Sequence, residues 1–171
     1  PQPLTKPRPE VGIACSRSDE TLQMAAAKGF LPLVHFTSSP PQIKQMLDIY
    51  MGADSGDIPA RRSRTRVARV AYVAESDEQA VMEMENAVLG SPVTSGRLDH
   101  YLPENGTRDD LTMTNLVKWD GAYIGSPDTV YEGLKNLYDE VGGFGTLLLI
   151  SGRDWGTWEQ RMRSWTLFME E

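Results

Sequence analysis

Short apolar runs alternate with stretches of helical periodicity along most of the chain. Residues 11–15 (Val-Gly-Ile-Ala-Cys) read as a buried strand, and residues 19–28 as a helix that Gly29 stops in a left-handed conformation. Residues 30–35 form a second strand. Ser39-Pro40-Pro41 opens the next helix, with serine as N-cap and proline in the first turn. Its Ile43, Met46, Leu47 and Tyr50 follow the i, i+3, i+4, i+7 spacing of one buried face. A polar loop leads to a third strand at residues 66–74. Ser76 and Gln79 have the spacing of a capping box at the start of a helix that runs to about residue 89. Residues 91–124 show weak periodicity and many loop-forming residues, which predicts an irregular, mobile, lid-like insertion. Ser126-Pro127-Asp128 starts another helix with Val130, Leu134, Leu137 and Val141 in one stripe. The glycines of residues 142–145 end it. Residues 146–150 then form a fourth strand, apolar throughout and so expected to be covered on both faces. A last helix from about residue 157 carries Trp158, Met162, Trp165 and Met169 as its packing stripe.

Strand–helix alternation predicts an α/β fold with a parallel sheet, either doubly wound or a (β/α) barrel. An eight-fold barrel takes about 250 residues, so a chain of 171 residues holds about half of one. Four strands cannot close that ring, and a half-barrel leaves two strand edges open. The start, Pro1-Gln2-Pro3 without an initiator methionine, predicts a chain that continues upstream.

Charge then narrows the function classes. Seventeen Lys+Arg against 24 Asp+Glu give a net charge of −7, which argues against a nucleic-acid binder. The one cysteine, Cys15, excludes an internal disulfide and fits a reducing, cytoplasmic setting. Two distant histidines and that cysteine form no metal-ligand pattern, and no apolar run reaches the ~18 residues of a membrane span.

In a parallel sheet, ligands sit at the carboxyl ends of the strands. The first such turn contains Ser16, Arg17, Ser18 and Thr21. Ser18 and Thr21 are three apart at a helix N-terminus, so they either cap the helix or offer two hydroxyls to one anion, with Arg17 adding charge. Asp19 and Glu20 count against a bare anion site. His35, at the end of the second strand, suits a general base or a donor to a substrate oxygen, and equally a hydrogen-bonded structural role. Phe36 beside it is core or a wall for a planar ring. Asp154-Trp155 follows the fourth strand as a ligand-end pair or a turn anchored by its indole. Arg61-Arg62-Ser63-Arg64-Thr65-Arg66 reads as a solvated loop with a phosphate site as the alternative. Cys15 reads as a small buried filler and His100 as solvated.

Four segments carry a family resemblance. Lys6-Pro7-Arg8-Pro9-Glu10-Val11-Gly12-Ile13 resembles the entry into the fifth strand of bacterial luciferase-like flavin monooxygenases. Glu75-Ser76-Asp77-Glu78-Gln79-Ala80 resembles that family's "AETDEEA" stretch. Gly125-Ser126-Pro127-Asp128-Thr129-Val130 and Gly142-Gly143-Phe144-Gly145-Thr146-Leu147 resemble the "GSPDTV" and "GGFGTL" segments of its limonene-monooxygenase-like members. The resemblance extends over essentially the whole chain.

It implies a (β/α)8 TIM barrel of which residues 1–171 are the C-terminal half, strands five to eight, with the irregular insertion at 91–124. It implies FMN, reduced by a separate flavin reductase, reacting with O2 to oxygenate a small organic substrate. Ser18 and Thr21 then match the hydroxyls that hold the FMN phosphate, and Ser16 and Arg17 border the flavin. Arg17 departs from the acidic residue of luciferase itself. Phe36 falls beside the isoalloxazine, and His35 and Trp155 fall at the substrate pocket. No catalytic residue is assigned, because strands one to four would contribute theirs. The expected assembly is a homodimer, or completion by an N-terminal half-barrel. Two other readings stay open: a flavin- or deazaflavin-dependent hydride transferase of the same fold, and a non-catalytic truncated barrel that binds or dimerises.

Overall fold

The computed structural model describes residues 6–7, 9–16, 18–52, 57–85, 87, 99, 102, 105–150 and 155–170. The chain divides into two compact units, Pro1–Ala68 with Glu140–Leu148, and Arg69–Asp139 with Leu149–Glu171.

The first unit is built on parallel pairing. Strand β1 (Gly12–Cys15) runs beside β2 (Leu31–Val34), with Gly12 opposite Leu31 and Cys15 opposite Val34. Leu33 and Val34 pair in turn with Arg66 and Val67 at the start of β3 (Arg66–Val73). Helix α1 (Asp19–Lys28) connects β1 to β2 and ends at Gly29, whose φ of 64° is left-handed, as predicted. Helix α2 (Pro40–Gly52) buries Ile43, Met46, Leu47 and Tyr50, the face its periodicity specified.

The arginine run is not a solvated loop. Asp57 caps a short helix, α3 (Ile58–Arg62), by accepting from the Ala60 N–H. Arg61 donates to the carbonyls of Tyr50 and Met51 at the end of α2. Arg64 donates to the Gly29 carbonyl after α1, and Arg62 to the carbonyls of Gly142 and Gly143. Helix ends leave such carbonyls without intrahelical partners, and guanidinium groups satisfy them. Gly145 lies so close to this region that a Cβ there would sit 1.8 Å from the Ser63 carbonyl oxygen.

In the second unit, Ala71, Tyr72 and Val73 of β3 pair in parallel with Tyr123, Ile124 and Gly125, a three-residue strand β4 (Tyr123–Gly125). Helix α4 (Asp77–Met84) follows β3. Only half of the expected capping box forms: Ser76 accepts from the Gln79 N–H, but the Gln79 amide donates forward to Glu83. Within residues 91–124, 91–98, 100–101 and 103–104 lie outside the described residues. The described remainder is not irregular throughout. It holds helix α5 (Met113–Lys118), with Met113 and Leu116 buried, and then β4. Helix α6 (Pro127–Glu140) buries Val130 and Leu137.

Two apolar expectations fail within these residues. Strand β5 (Thr146–Ile150) is half-exposed along its length rather than covered on both faces. Helix α7 (Trp158–Glu170) turns its predicted stripe outward: Trp158, Met162, Trp165 and Met169 are 64%, 46%, 52% and 77% exposed. Its one buried residue is polar. Ser164 is buried and accepts from the Val73 N–H at 2.8 Å, while the Ala74 N–H bonds to Gly125 of β4. Successive strand N–H groups point to opposite edges, so Ser164 satisfies a donor on the β3 edge away from β4. There are thus five strands among the described residues, one more than predicted.

Candidate functional site

The ends of β1 and β2 lie side by side in the first unit. The His35 N–H donates to the Cys15 carbonyl at 3.2 Å, extending the ladder one residue beyond the strands. Ser16 is exposed at the end of β1. Ser18 takes the N-cap of α1: its Oγ accepts from the Thr21 N–H at 3.3 Å and donates to Glu20 Oε2 at 2.9 Å. Ser18 is exposed and Thr21 half-buried, so the helix N-terminus is open to solvent, with Glu20 held across it by Ser18. Arg17 lies outside the described residues.

At the end of β2, His35 is exposed and its ring lies on Phe36, centroids 4.4 Å apart at 34°. His35 Nδ1 is 2.7 Å from Thr37 Oγ1 and accepts from the Thr37 N–H at 3.3 Å. Thr37 is a member of this cluster that periodicity did not single out. Its signal was the hydroxyl two residues after a strand-end histidine. Cys15, by contrast, is 1% exposed, and burial pushes its thiol up from the ordinary range, so it is a filler.

The structure therefore brings Ser16, Ser18, Thr21, His35 and Phe36 to one end of the first unit. Trp155, half-buried, belongs to the second unit, and His100 and Asp154 lie outside the described residues.

Polar order in the second unit centres on Glu83. Its carboxylate accepts from Tyr72 Oη, from Gln79 Nε2 at 2.9 Å, and from Arg163 Nη2. Burial alone would raise the Glu83 carboxyl. The hydrogen bonds from Tyr72, Gln79 and Arg163 outweigh it and hold the group below the ordinary range. Burial, and then the Glu83 contact, push Tyr72 well above its ordinary value. Asp77 is a second anchor. It accepts from the Ser126 N–H at 2.7 Å and from Thr129 Oγ1 at 3.0 Å, bonds that hold its carboxyl low. Arg69 is fully buried on β3, and its sequence signal was a single cation inside an apolar strand run. Among the described residues, no group of three His, Cys, Asp or Glu side chains could hold a metal. No helix there is long and apolar enough to cross a membrane.

No family model matches the chain. It is 29% identical over 153 residues to 3,6-diketocamphane 1,6-monooxygenase of Pseudomonas putida, covering 81% of this chain and 39% of that protein. The chain is a relative of the luciferase-like flavin monooxygenases. A second relative is 4-hydroxyprotoasukamycin monooxygenase of Streptomyces nodosus subsp. asukaensis, 28% identical over 117 residues, or 63% of this chain and 29% of that one. Among solved structures, the oxygenating constituent of P. putida 3,6-diketocamphane monooxygenase, a type II Baeyer-Villiger enzyme in complex with FMN, superposes with a TM-score of 0.76 at 23% identity. That match covers 95% of this chain and 48% of that one. The monooxygenase RslO1 of Streptomyces bottropensis gives a TM-score of 0.74 at 20% identity, covering 99% and 49%. These likenesses carry the fold, an α/β arrangement with parallel strands. The chain spans less than two fifths of the curated relatives it matches and about half of these solved chains.

Proposed function

We propose that this chain is part of a flavin-dependent monooxygenase that oxygenates a small organic substrate with O2 and reduced FMN delivered by a separate reductase. The observation that carries the reading is its relation, over four fifths of its length, to a monooxygenase whose solved oxygenating constituent contains FMN. The residues present fit such a cofactor at the N-terminus of α1. Ser18 is exposed there, and the Thr21 hydroxyl makes no hydrogen bond among the described residues. These two hydroxyls and the first-turn N–H groups would hold the phosphate in place of the Ser18–Glu20 contact. Ser16 would border the isoalloxazine, with Phe36 beside it. His35 belongs to the substrate pocket. Bound in reduced form, FMN would supply the reaction with O2 that transfers one oxygen atom to the substrate.

Residues 1–171 are, in this reading, the C-terminal half of a TIM barrel, with β1, β2, β3 and β5 as strands five to eight. Strand β4 is an added rung on the end of β3. The half-exposed β5 and the outward stripe of α7 support completion by an N-terminal half-barrel or by a second copy in a homodimer. The protein is proposed to work in the cytoplasm, away from nucleic acid and membranes.

FMN titration tests the cofactor, read by flavin fluorescence anisotropy. Replacing Ser18 and Thr21 together by Ala removes two hydrogen bonds to a charged group and should weaken binding by about 1–3 kcal/mol, roughly 5- to 150-fold in Kd. Unchanged affinity in the double variant overturns the phosphate assignment. Tight binding of a deazaflavin in place of FMN favours the hydride-transfer reading.

A further inference from the structure

We propose that the outward stripe of α7 is an interface for a second copy of this chain, in a two-fold pair where the same face meets itself. This deepens the homodimer of the proposed function and does not rest on the flavin chemistry. An α-helix turns about 100° per residue, so Trp158, Met162, Trp165 and Met169 fall within roughly 60° of one another. The direction opposite them falls between Arg163 and Ser164. Those two residues hold α7 in place, through the Glu83 carboxylate and the Val73 N–H. The stripe therefore faces directly away from the elements that seat the helix. A half-barrel completing the ring would pair with open strand edges. It accounts for the exposure of β5 and not for that of this face.

The size and chemistry of the patch fit a second copy. At their exposed fractions, and taking about 200–250 Å² for each whole side chain, the four residues present roughly 500 Å² of mostly apolar surface. That is near the upper limit of what a monomer leaves open. Two such faces together bury about 1,000 Å², the size at which a contact becomes specific. No charged residue interrupts the stripe, so the face can meet its own image, whereas elsewhere two chains of net charge −7 repel. One anchor is already in position. The Arg161 guanidinium lies 5.8 Å from the centroid of the Trp158 ring and donates to the Gly156 carbonyl at 3.1 Å. An indole held before contact loses little freedom on binding. Beside Trp165 and Met169 runs a groove floored by Ala71, Leu149 and Phe168, a seat for an apolar side chain of the second copy. Two-fold pairing fills both grooves at once.

Sedimentation equilibrium of residues 1–171 over about a hundredfold range of concentration tests the interface. A monomer–dimer equilibrium is expected. Trp158→Gln with Trp165→Gln should raise its Kd at least about tenfold, because aromatic anchors carry most of an interface's energy. Tyr131→Gln with Tyr138→Gln, exposed aromatics of α6 outside the stripe, should leave it unchanged. Cross-linking gives a second readout that does not depend on the tryptophan variants. Met162→Cys should form a disulfide-linked dimer on air oxidation, whereas Met82→Cys, at a more exposed position on α4, should not. A monomer at every concentration, a dimer whose Kd the tryptophan pair leaves unchanged, or Met82→Cys linking as fast as Met162→Cys would each overturn the proposal. A dimer that fails to bind FMN counts against the proposed function alone, and a monomer that binds FMN counts against this interface alone.

Discussion

Removing the cation that serves Glu83 should be among the most damaging single changes in the second unit. Glu83 is 9% exposed and shares its two oxygens among Tyr72, Gln79 and Arg163. Arg163→Met leaves that carboxylate with only a hydroxyl and an amide. Breaking a buried pair from one side costs about 3–5 kcal/mol, because the remaining charge is stranded. The Arg163 side chain is 33% exposed, so water reaches the vacated edge and the expected loss is about 2–4 kcal/mol. Its contact with Glu75, on the exposed side, adds little.

Urea denaturation at one fixed protein concentration measures the loss as a lower midpoint at unchanged slope. The triple variant Tyr72→Phe, Glu83→Met, Arg163→Met removes both charges and the hydroxyl, leaves only the half-exposed Gln79 amide, which water can reach, and should recover to within about 1.5 kcal/mol of wild type. The pH dependence has a definite sign. The Glu83 carboxyl is depressed in the folded state, so its contribution is full above the ordinary value of 4.5 and is lost as pH falls through the folded one. The gap between wild type and Arg163→Met therefore narrows in acid. A single variant within about 0.5 kcal/mol of wild type, or a triple variant as unstable as the single, would refute the stranded-charge reasoning.

Gly145→Ala should abolish soluble expression, because its Cβ would meet backbone at 1.8 Å, whereas Gly29→Ala, with open space but a φ of 64°, should cost only about 1–2 kcal/mol in thermal unfolding. Residues 1–171 purified alone should sediment as more than a monomer, and Trp158→Gln with Trp165→Gln should reduce that association. A monomer with a cooperative transition would remove the support for barrel completion.

Elements held by local physics were legible in the sequence. Gly29 ends α1, and the Ile43–Tyr50 spacing orients α2, because each depends on a few neighbouring residues. Elements held by distant partners were not. Helix α5 has six residues and β4 three, too few for a period to show, and Met113 and Ile124 become recognisable as core only once buried. Helix α7 failed for another reason. Its apolar stripe was real, but the face that seats it is fixed by Ser164 on the Val73 N–H and Arg163 on Glu83. A pattern of apolar residues cannot show that a polar face is the inner one. The arginine run was misread in the same way, since its partners are the carbonyl ends of elements separated from it by up to 81 residues.

The site divides along the same line. The motifs that carried the family resemblance are mostly scaffold. Asp77 of the "AETDEEA"-like stretch clamps Ser126 and Thr129 of the "GSPDTV"-like one, and Gly145 of the "GGFGTL"-like one fits only without a side chain. Such positions are constrained by sterics and paired hydrogen bonds. The groups proposed to meet a ligand are constrained by orientation instead. A cap and a phosphate site both want Ser18 with Thr21 three residues on, and a structural histidine and a donor both want His35 at a strand end. What separates the members of each pair is geometry: how open the α1 N-terminus is, and how the His35 ring is held. The sequence could therefore point to the family through its scaffold while leaving the role of each site residue to the structure.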